Sequence, residues 1–411
     1  MIGTRFGLLL LASVLSLEGG DDTRLYGRVT TDDGRTVEGY FRWDRNEASR
    51  WDFLDAAKEL REEVLEEAER LDPAFAEEML QRRSIVAFGF RIRWDEDDLE
   101  GPPRVPASVR FEHVAFIEPQ EGAGVHVGLV DGSTFELVGT TTDLGPSMRD
   151  LLVDTGEGLV EIDWQDVRRV DFLRPPPGVH AARDTALVGT VRTWSELELT
   201  GQVAWDRDEV FLSDVLDGRE GSEDLEIPFR EIVAIAPEGR RSAEVTLTTG
   251  AILSMRGTND VDRGNRGLDL SVPGLGRILV PWGELESVRF QPQAEALPAA
   301  LPIGRLHGTV YARDGRVLTG ALRWGHDEEY GWEVLDGWHG DTEVDVEFGT
   351  IEQIRPDGPE AAVVVLADGR VLRLEDTDDV GEGHRGVFVS PDGGSARLVR
   401  WGDVDRVIFH R

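Results

Sequence analysis

The chain has 411 residues, 40% hydrophobic and 30% charged, which is too long for one hydrophobic core and too apolar for a disordered chain. Aspartate and glutamate number 80 against 44 arginines and lysines, a formal net charge of −36, and Lys58 is the only lysine; a field of that sign repels phosphate backbones and anionic lipid headgroups, so nucleic acid and membrane surfaces are set aside as partners. Cysteine is absent, which removes disulfides, thiolate metal sites and cysteine nucleophiles.

The chain opens on Arg5 and an apolar run of 12 residues, Phe6 to Leu17, followed by the acidic stretch Glu18 to Asp22. A basic residue, a short apolar run and the small residues Ala12, Ser13 and Ser16 read as an export signal over residues 1–20. The run is too short to span a bilayer, so the mature chain is expected in the periplasm or outside the cell, with no membrane insertion after signal removal.

Beyond the signal the sequence repeats itself. Leu25-Tyr-Gly-Arg-Val29 recurs as Leu187-Val-Gly-Thr-Val191 and Leu306-His-Gly-Thr-Val310. Each is followed by a Gly and a Trp at fixed distance: Gly39 and Trp43, Gly201 and Trp205, Gly320 and Trp324. A second signature closes each copy, running from Trp164 to Phe172, Trp282 to Phe290 and Trp401 to Phe409. The closing tryptophans are 118 and 119 residues apart. Two landmarks holding one period predict three tandem units, over residues 24–174, 186–291 and 305–411. Unit 1 is longer by about 44 residues, assigned to an insertion at 56–106. There Ala57, Leu60, Val64, Ala68 and Leu71 follow helical spacing, and Asp72-Pro73 opens a second short helix through Ala74 to Gln81. The helix is expected either to cover a sheet edge or to dock a partner.

Within units the apolar period is two, and Asp314-Gly315 and Asp368-Gly369 mark hairpin turns. Eight to ten short strands per unit are expected, an all-β chain of three repeats with one helical insertion in the first. The pattern G-x-V, DGR, G-x-L-x-W, LDG and then Val346 to Pro356, best seen over residues 305–356, resembles Sm-like and SH3-like barrels, and the second half of each unit looks like the same idea again. The resemblance implies two small barrels per unit. In the Sm family an Asp and an Asn of one loop help to hold an RNA base. Here Asp206 matches the Asp, but Glu209 stands at the Asn position and Gly325 replaces the Asp in unit 3, so RNA binding is not carried over.

The most repeated polar feature is an Asp with an Arg six residues on: Asp143/Arg149, Asp260/Arg266 and Asp379/Arg385. Clustered oxygens suit Ca2+, whereas an Asp–Arg bridge closing the loop explains the recurrence without a metal. The repeated tryptophans read as core anchors, and Trp338 and His339 as surface candidates able to contact a sugar or a peptide. The eight histidines do not share repeat positions, and no nucleophile elbow, zinc helix or phosphate loop occurs. No catalytic, cofactor or metal residues are therefore assigned. Asp260, Arg266, Asp379, Arg385, Trp338 and His339 remain as surface candidates. The expectation is an exported non-catalytic protein that binds or scaffolds another envelope or secreted protein, with a carbohydrate or cell-wall module, or a Ca2+-binding protein, as alternatives.

Overall fold

A computed structural model describes residues 23–75, 84–87, 90–93, 103–139, 143–145, 148–176, 179, 184–291, 301–381 and 383–411; the segment expected to be an export signal and most of the expected second insertion helix lie outside them. The fold is antiparallel β nearly throughout. Unit 1 contributes β1 (Tyr26–Thr31), β2 (Thr36–Arg42), β3 (Phe53–Glu59), β4 (Arg104–Arg110), β5 (Val114–Pro119), β6 (Gly124–Leu129), β7 (Thr134–Val138), β8 (Leu151–Asp154), β9 (Leu159–Ile162) and β10 (Val167–Phe172). Unit 2 follows with β11 (Val188–Thr193), β12 (Glu198–Trp205), β13 (Val215–Glu220), β14 (Glu223–Pro228), β15 (Ile232–Pro237), β16 (Ser242–Leu247), β17 (Ile252–Arg256), β18 (Leu268–Val272), β19 (Gly276–Val280) and β20 (Leu285–Gln291). Unit 3 has β21 (His307–Ala312), β22 (Val317–Trp324), β23 (Val334–His339), β24 (Thr342–Glu347), β25 (Ile351–Pro356), β26 (Ala361–Leu366), β27 (Val371–Glu375), β28 (Val387–Ser390), β29 (Arg397–Val399) and β30 (Val404–Phe409).

Strand pairing repeats with the sequence. Unit 1 runs β4-β3-β7-β6-β5-β10-β1-β2-β8-β9, and the pairings of units 2 and 3 reproduce that order position by position. Gly39, Gly201 and Gly320 explain one fixed landmark: a Cβ there would lie 2.2, 2.3 and 2.3 Å from the carbonyl oxygens of Asp154, Ser271 and Ser390 on the facing strand. No other residue admits that approach. Trp43, Trp205 and Trp324, each at most 1% exposed, explain another. Each packs against the closing tryptophan of its unit and a phenylalanine that precedes the fifth strand: Trp164 and Phe111, Trp282 and Phe229, Trp401 and Phe348.

Two expectations need correction. Among the described residues no sheet closes into a barrel. After β2 the chain turns at Trp43, and β3 pairs with β4 and, through Ala57, with β7 of the other half; it does not return to β2 to close a five-strand ring. The insertion is also narrower than 56–106, because β3 and β4 stay paired from Phe53↔Arg110 out to Glu59↔Arg104. In units 2 and 3 the same hairpin turns within two residues, between Glu220 and Glu223 and between His339 and Thr342. The extra chain therefore sits on a hairpin tip, and Ala57 belongs to a strand. The helix α1 (Glu62–Leu71) buries Val64 and Ala68 against Leu60, Phe75 and Val105. It docks on unit 3 through Glu67–Arg323 at 2.7 Å and Asp72–His326 at 3.2 Å.

All three units touch one another. Units 2 and 3 join edge to edge, β19 pairing with β24 from Gly276↔Val346 to Leu279↔Glu343. Arg42 of unit 1 reaches Asp214 of unit 2 at 3.2 Å and lies over Phe211. Phe135 of unit 1 stacks on Trp332 of unit 3 with ring centroids 4.5 Å apart. At the meeting point, Arg277 of unit 2 binds Asp55 of unit 1 at 2.7 Å and Asp345 of unit 3 at 2.8 Å. Beside it Arg110 of unit 1 binds Glu347 of unit 3 at 2.7 Å and donates to the Gly276 carbonyl of unit 2 at 3.2 Å. Both guanidinium groups lie over the Phe53 ring. These five charged residues are all at most 6% exposed.

Removing one member of such a centre strands its partners as uncompensated buried charge. Arg277→Met is expected to lower the stability of the full chain by about 3–5 kcal/mol in chemical denaturation, and adding Asp55→Asn and Asp345→Asn should recover part of that loss. An unchanged unfolding midpoint in the single variant would show that the ion centre does not hold the units together.

Candidate functional site

The repeated loops after β2, β12 and β22 begin with the core tryptophan and run Trp43-Asp-Arg-Asn-Glu47, Trp205-Asp-Arg-Asp-Glu209 and Trp324-Gly-His-Asp-Glu328. The residue after each tryptophan is left-handed, with φ of 43°, 48° and 56° at Asp44, Asp206 and Gly325. Opposite them lie the loops that carry the repeated Asp and Arg. Their aspartates serve the fold. The Asp143, Asp260 and Asp379 carboxylates accept the backbone N–H of Asp55, Asp217 and Asp336 at 2.9, 2.7 and 3.0 Å. Their backbone carbonyls accept the indole N–H of Trp43, Trp205 and Trp324 at 2.9, 3.1 and 3.0 Å.

The arginines of these loops choose a different carboxylate from the one sequence spacing suggests. Arg149 and Arg266 each donate their main-chain N–H and a guanidinium N–H to the aspartate after the tryptophan, with guanidinium distances of 3.2 Å to Asp44 and 3.3 Å to Asp206. The bridge thus closes one loop onto the other. Unit 2 brings Asp206, Asp208 and Glu209 together with carboxylate oxygens within 4.8 Å of one another. Arg266 binds both aspartates there and Asn259 donates to Asp206 at 2.6 Å, so the chain's own donors occupy both aspartates, while desolvation raises Glu209 to about 9.

Unit 3 departs from this plan. Gly325 removes the aspartate, and His384 stands where unit 2 has Asn265. Together they border a cleft of about 1240 Å3 between the insertion of unit 1 and unit 3, also lined by Trp338, Trp401, Asp379 and Arg385. His384 stacks on Trp324 and meets Trp401 edge-on, with ring centroids 4.6 Å apart in both cases. Four side-chain atoms of the lining, His326 Nδ1, His384 Nε2, Trp401 Nε1 and Glu328 Oε2, are buried with no hydrogen-bond partner among the described residues; their residues are 2, 5, 6 and 8% exposed. Lys58, the only lysine, reaches in from unit 1 to the Asp327 carbonyl at 2.5 Å and to Glu333. Burial opposes its charge, yet Glu333, Asp327 and Glu328 outweigh that and hold its pKa above the usual value. It is an inter-unit strut.

Electrostatics in the cleft follow from burial. Glu328 is pushed well above the ordinary carboxylate range by desolvation and then by Asp327 and Asp379, and Asp379 likewise by desolvation and then Asp336. Desolvation raises Asp336 to about 6 and lowers His326 to about 4 and His384 to about 3. At neutral pH the cleft therefore presents neutral imidazoles, beside carboxyls that burial biases towards their protonated form.

Of the six candidates read from the sequence, Asp379, Arg385 and Trp338 share this cleft. Asp260 and Arg266 belong to the loop pair of unit 2. His339 is held between the carbonyls of Ser195 and Arg373, each 3.1 Å from a ring nitrogen. Sequence reasoning missed Gly325, His326, Glu328, His384 and Trp401; Gly325 and His326 carried a signal as departures from the Asp-Arg of units 1 and 2, and His384 stands at a position that is Met148 and Asn265 in the other copies, whereas Glu328 and Trp401 match the repeat and carried none. No family model, curated protein or solved structure matches this chain.

Stability should report the cleft's protonation. Folded Glu328 and Asp379 keep protons that the unfolded chain releases above about pH 4 to 4.5, so stability falls as pH rises through neutrality. The histidines, neutral when folded, oppose this below their ordinary 6.5, so stability is lost again as pH falls towards their lowered values. The melting temperature is expected to peak on the acid side of neutrality. Glu328→Gln, which keeps shape without an ionisable group, should raise it clearly at pH 8 and little at pH 5; equal effects at both would contradict a buried, protonated glutamate.

Proposed function

We propose that this chain is an exported, non-catalytic binding protein of the cell envelope, in which three β units form a rigid scaffold and the cleft between the insertion and unit 3 receives the ligand. The observation that carries this reading is the convergence of four buried polar atoms, unpartnered among the described residues, on that cleft. Burying a donor or acceptor without a partner costs about 1–3 kcal/mol; in unit 2 the groups at the positions of His384 and Trp401 have partners within the chain, whereas the glutamate Oε2 is unpartnered among the described residues in every unit, at Glu47, Glu209 and Glu328. Asn265 donates to the Asp260 carbonyl and Trp282 to the Gly239 carbonyl. A ligand supplies what the third unit omits. The surrounding carboxylates make an anion a poor occupant, which leaves uncharged or cationic ligands. A non-catalytic role is supported by the roles of the perturbed groups: Lys58 is fixed in an ion pair, and Asp379 holds a backbone N–H.

The two halves of each unit we read as SH3-like or Sm-like folds opened by the crossover of β3, β13 and β23 to the other half. The short 3-10 turn before β5, β15 and β25, Phe111–His113, Phe229–Glu231 and Phe348–Thr350, supports that likeness.

Binding is tested with the purified chain on a glycan array and by calorimetry with tetra-arginine, followed by mass spectrometry of the bound probe. Saturable binding without turnover is expected, weakened roughly tenfold by Trp338→Ala, the loss of one aromatic contact. Turnover would overturn the non-catalytic reading, and binding indifferent to Trp338→Ala would move the site out of the cleft.

A further inference from the structure

The third unit differs from its sisters at the one point where they fill their own pocket. Asp44 and Asp206 are fully buried, each carboxylate receiving the main-chain N–H of Arg149 or Arg266. Gly325 keeps the same left-handed backbone. A Cβ built on it would meet Asp327 Oδ1 and Glu328 Oε2 at 3.6 Å and His384 Cε1 at 3.9 Å, all ordinary contacts. There is room for a Cβ at the position where units 1 and 2 carry an aspartate. The groups around that space changed with it. Unit 2's Asn265 is satisfied on both sides, donating to the Asp260 carbonyl at 3.3 Å and accepting from the Gly267 N–H at 2.8 Å. His384 in the same position leaves Nε2 without a partner.

We infer, resting on the cleft as the binding site, that the space beside Gly325 is a subsite for the hydroxyl groups of a neutral saccharide, held by His384, Trp401 and Glu328. The chemistry of His384 Nε2 and Trp401 Nε1, the two unpartnered atoms whose unit 2 counterparts are paired, selects this class. His384 Nδ1 lies 3.1 Å from the Asp378 carbonyl, a group that only accepts, so the proton sits on Nδ1 and Nε2 is an acceptor. An indole N–H only donates, and a protonated carboxyl does both. The subsite thus asks for a group that donates and accepts, as a hydroxyl does. An ammonium leaves the Trp401 N–H unanswered. A carboxylate leaves His384 Nε2 unanswered and meets Asp327. Trp338, on the same cleft, offers a ring for the apolar face of a sugar, and the cleft exceeds the volume that small ligands ordinarily fill.

The test uses calorimetry on the full chain with chitotriose, cellotriose and maltotriose, against spermidine and galacturonate. At least one neutral trisaccharide is expected to bind. Gly325→Asp, which restores the residue of units 1 and 2 at a backbone angle they already adopt, should weaken it at least tenfold with the melting temperature preserved. His384→Asn, the residue of unit 2, should do the same and serves if the first variant misfolds. Should Gly325→Asp and His384→Asn bind like the parent while Trp338→Ala does not, the subsite falls and the cleft stands. If spermidine or galacturonate alone binds, sensitive to Trp338→Ala, the saccharide class falls and the cleft stands. Binding insensitive to every variant, or no binding of any probe, overturns the subsite and the cleft together.

Discussion

The arrangement of this protein hangs on two buried arginines. Arg277 and Arg110 sit where all three units meet, over one phenylalanine ring, each joined to carboxylates or carbonyls of other units. A buried ion pair is seldom a large net source of stability compared with a well-packed apolar contact. Its value is directional: a guanidinium pointing at the wrong unit would leave its charge and those of its partners stranded. Three copies of one fold have similar edges and could pair in several ways. A charge centre that is satisfied in one arrangement alone picks that arrangement out.

Fixing the units fixes the cleft. The insertion is carried on the tip of the β3–β4 hairpin, and the same hairpin bears Asp55 and Arg110 of the ion centre. Glu67 and Asp72, in or just after α1, then meet Arg323 and His326 of unit 3, and Lys58 crosses to Glu333. The long hairpin of unit 1 thus becomes one wall and the loops of unit 3 the other. Its length has a structural consequence that the short hairpins of units 2 and 3 cannot supply.

Repetition also shows how a loop that lines a cleft can arise from one that closes on itself. In units 1 and 2 the loop after the core tryptophan is closed by an internal aspartate and the arginine facing it. In unit 3 the aspartate is gone, and a neutral, buried histidine stacks on the tryptophan. The core beneath is unchanged, since Trp324, Phe348, Trp401 and Phe409 still form one aromatic cluster. One unit can therefore lose its internal partner while two others keep the fold rigid.

The sequence by itself determined the local chemistry of each unit: period-two apolar runs, Asp-Gly turns, glycines where strands touch and tryptophans at the core. Those signals are carried by residues near one another in the chain, or by a period that brings distant residues into register. It also held the marks of the cleft, as breaks in the repeat at Gly325 and His384, but only a comparison of the copies makes them visible. Tertiary structure alone decided the rest. Asp–Arg spacing suggested a bridge within one loop, yet Arg149 and Arg266 chose the aspartate of the facing loop, because the fold puts that carboxylate beside both their main-chain and side-chain donors. Barrel-like strand order did not close, because β3 found its partner in the other half of the unit. Which of the many carboxylates would be buried, which would bridge units and which would border a cleft depended on how three units dock, and charge alone does not encode that.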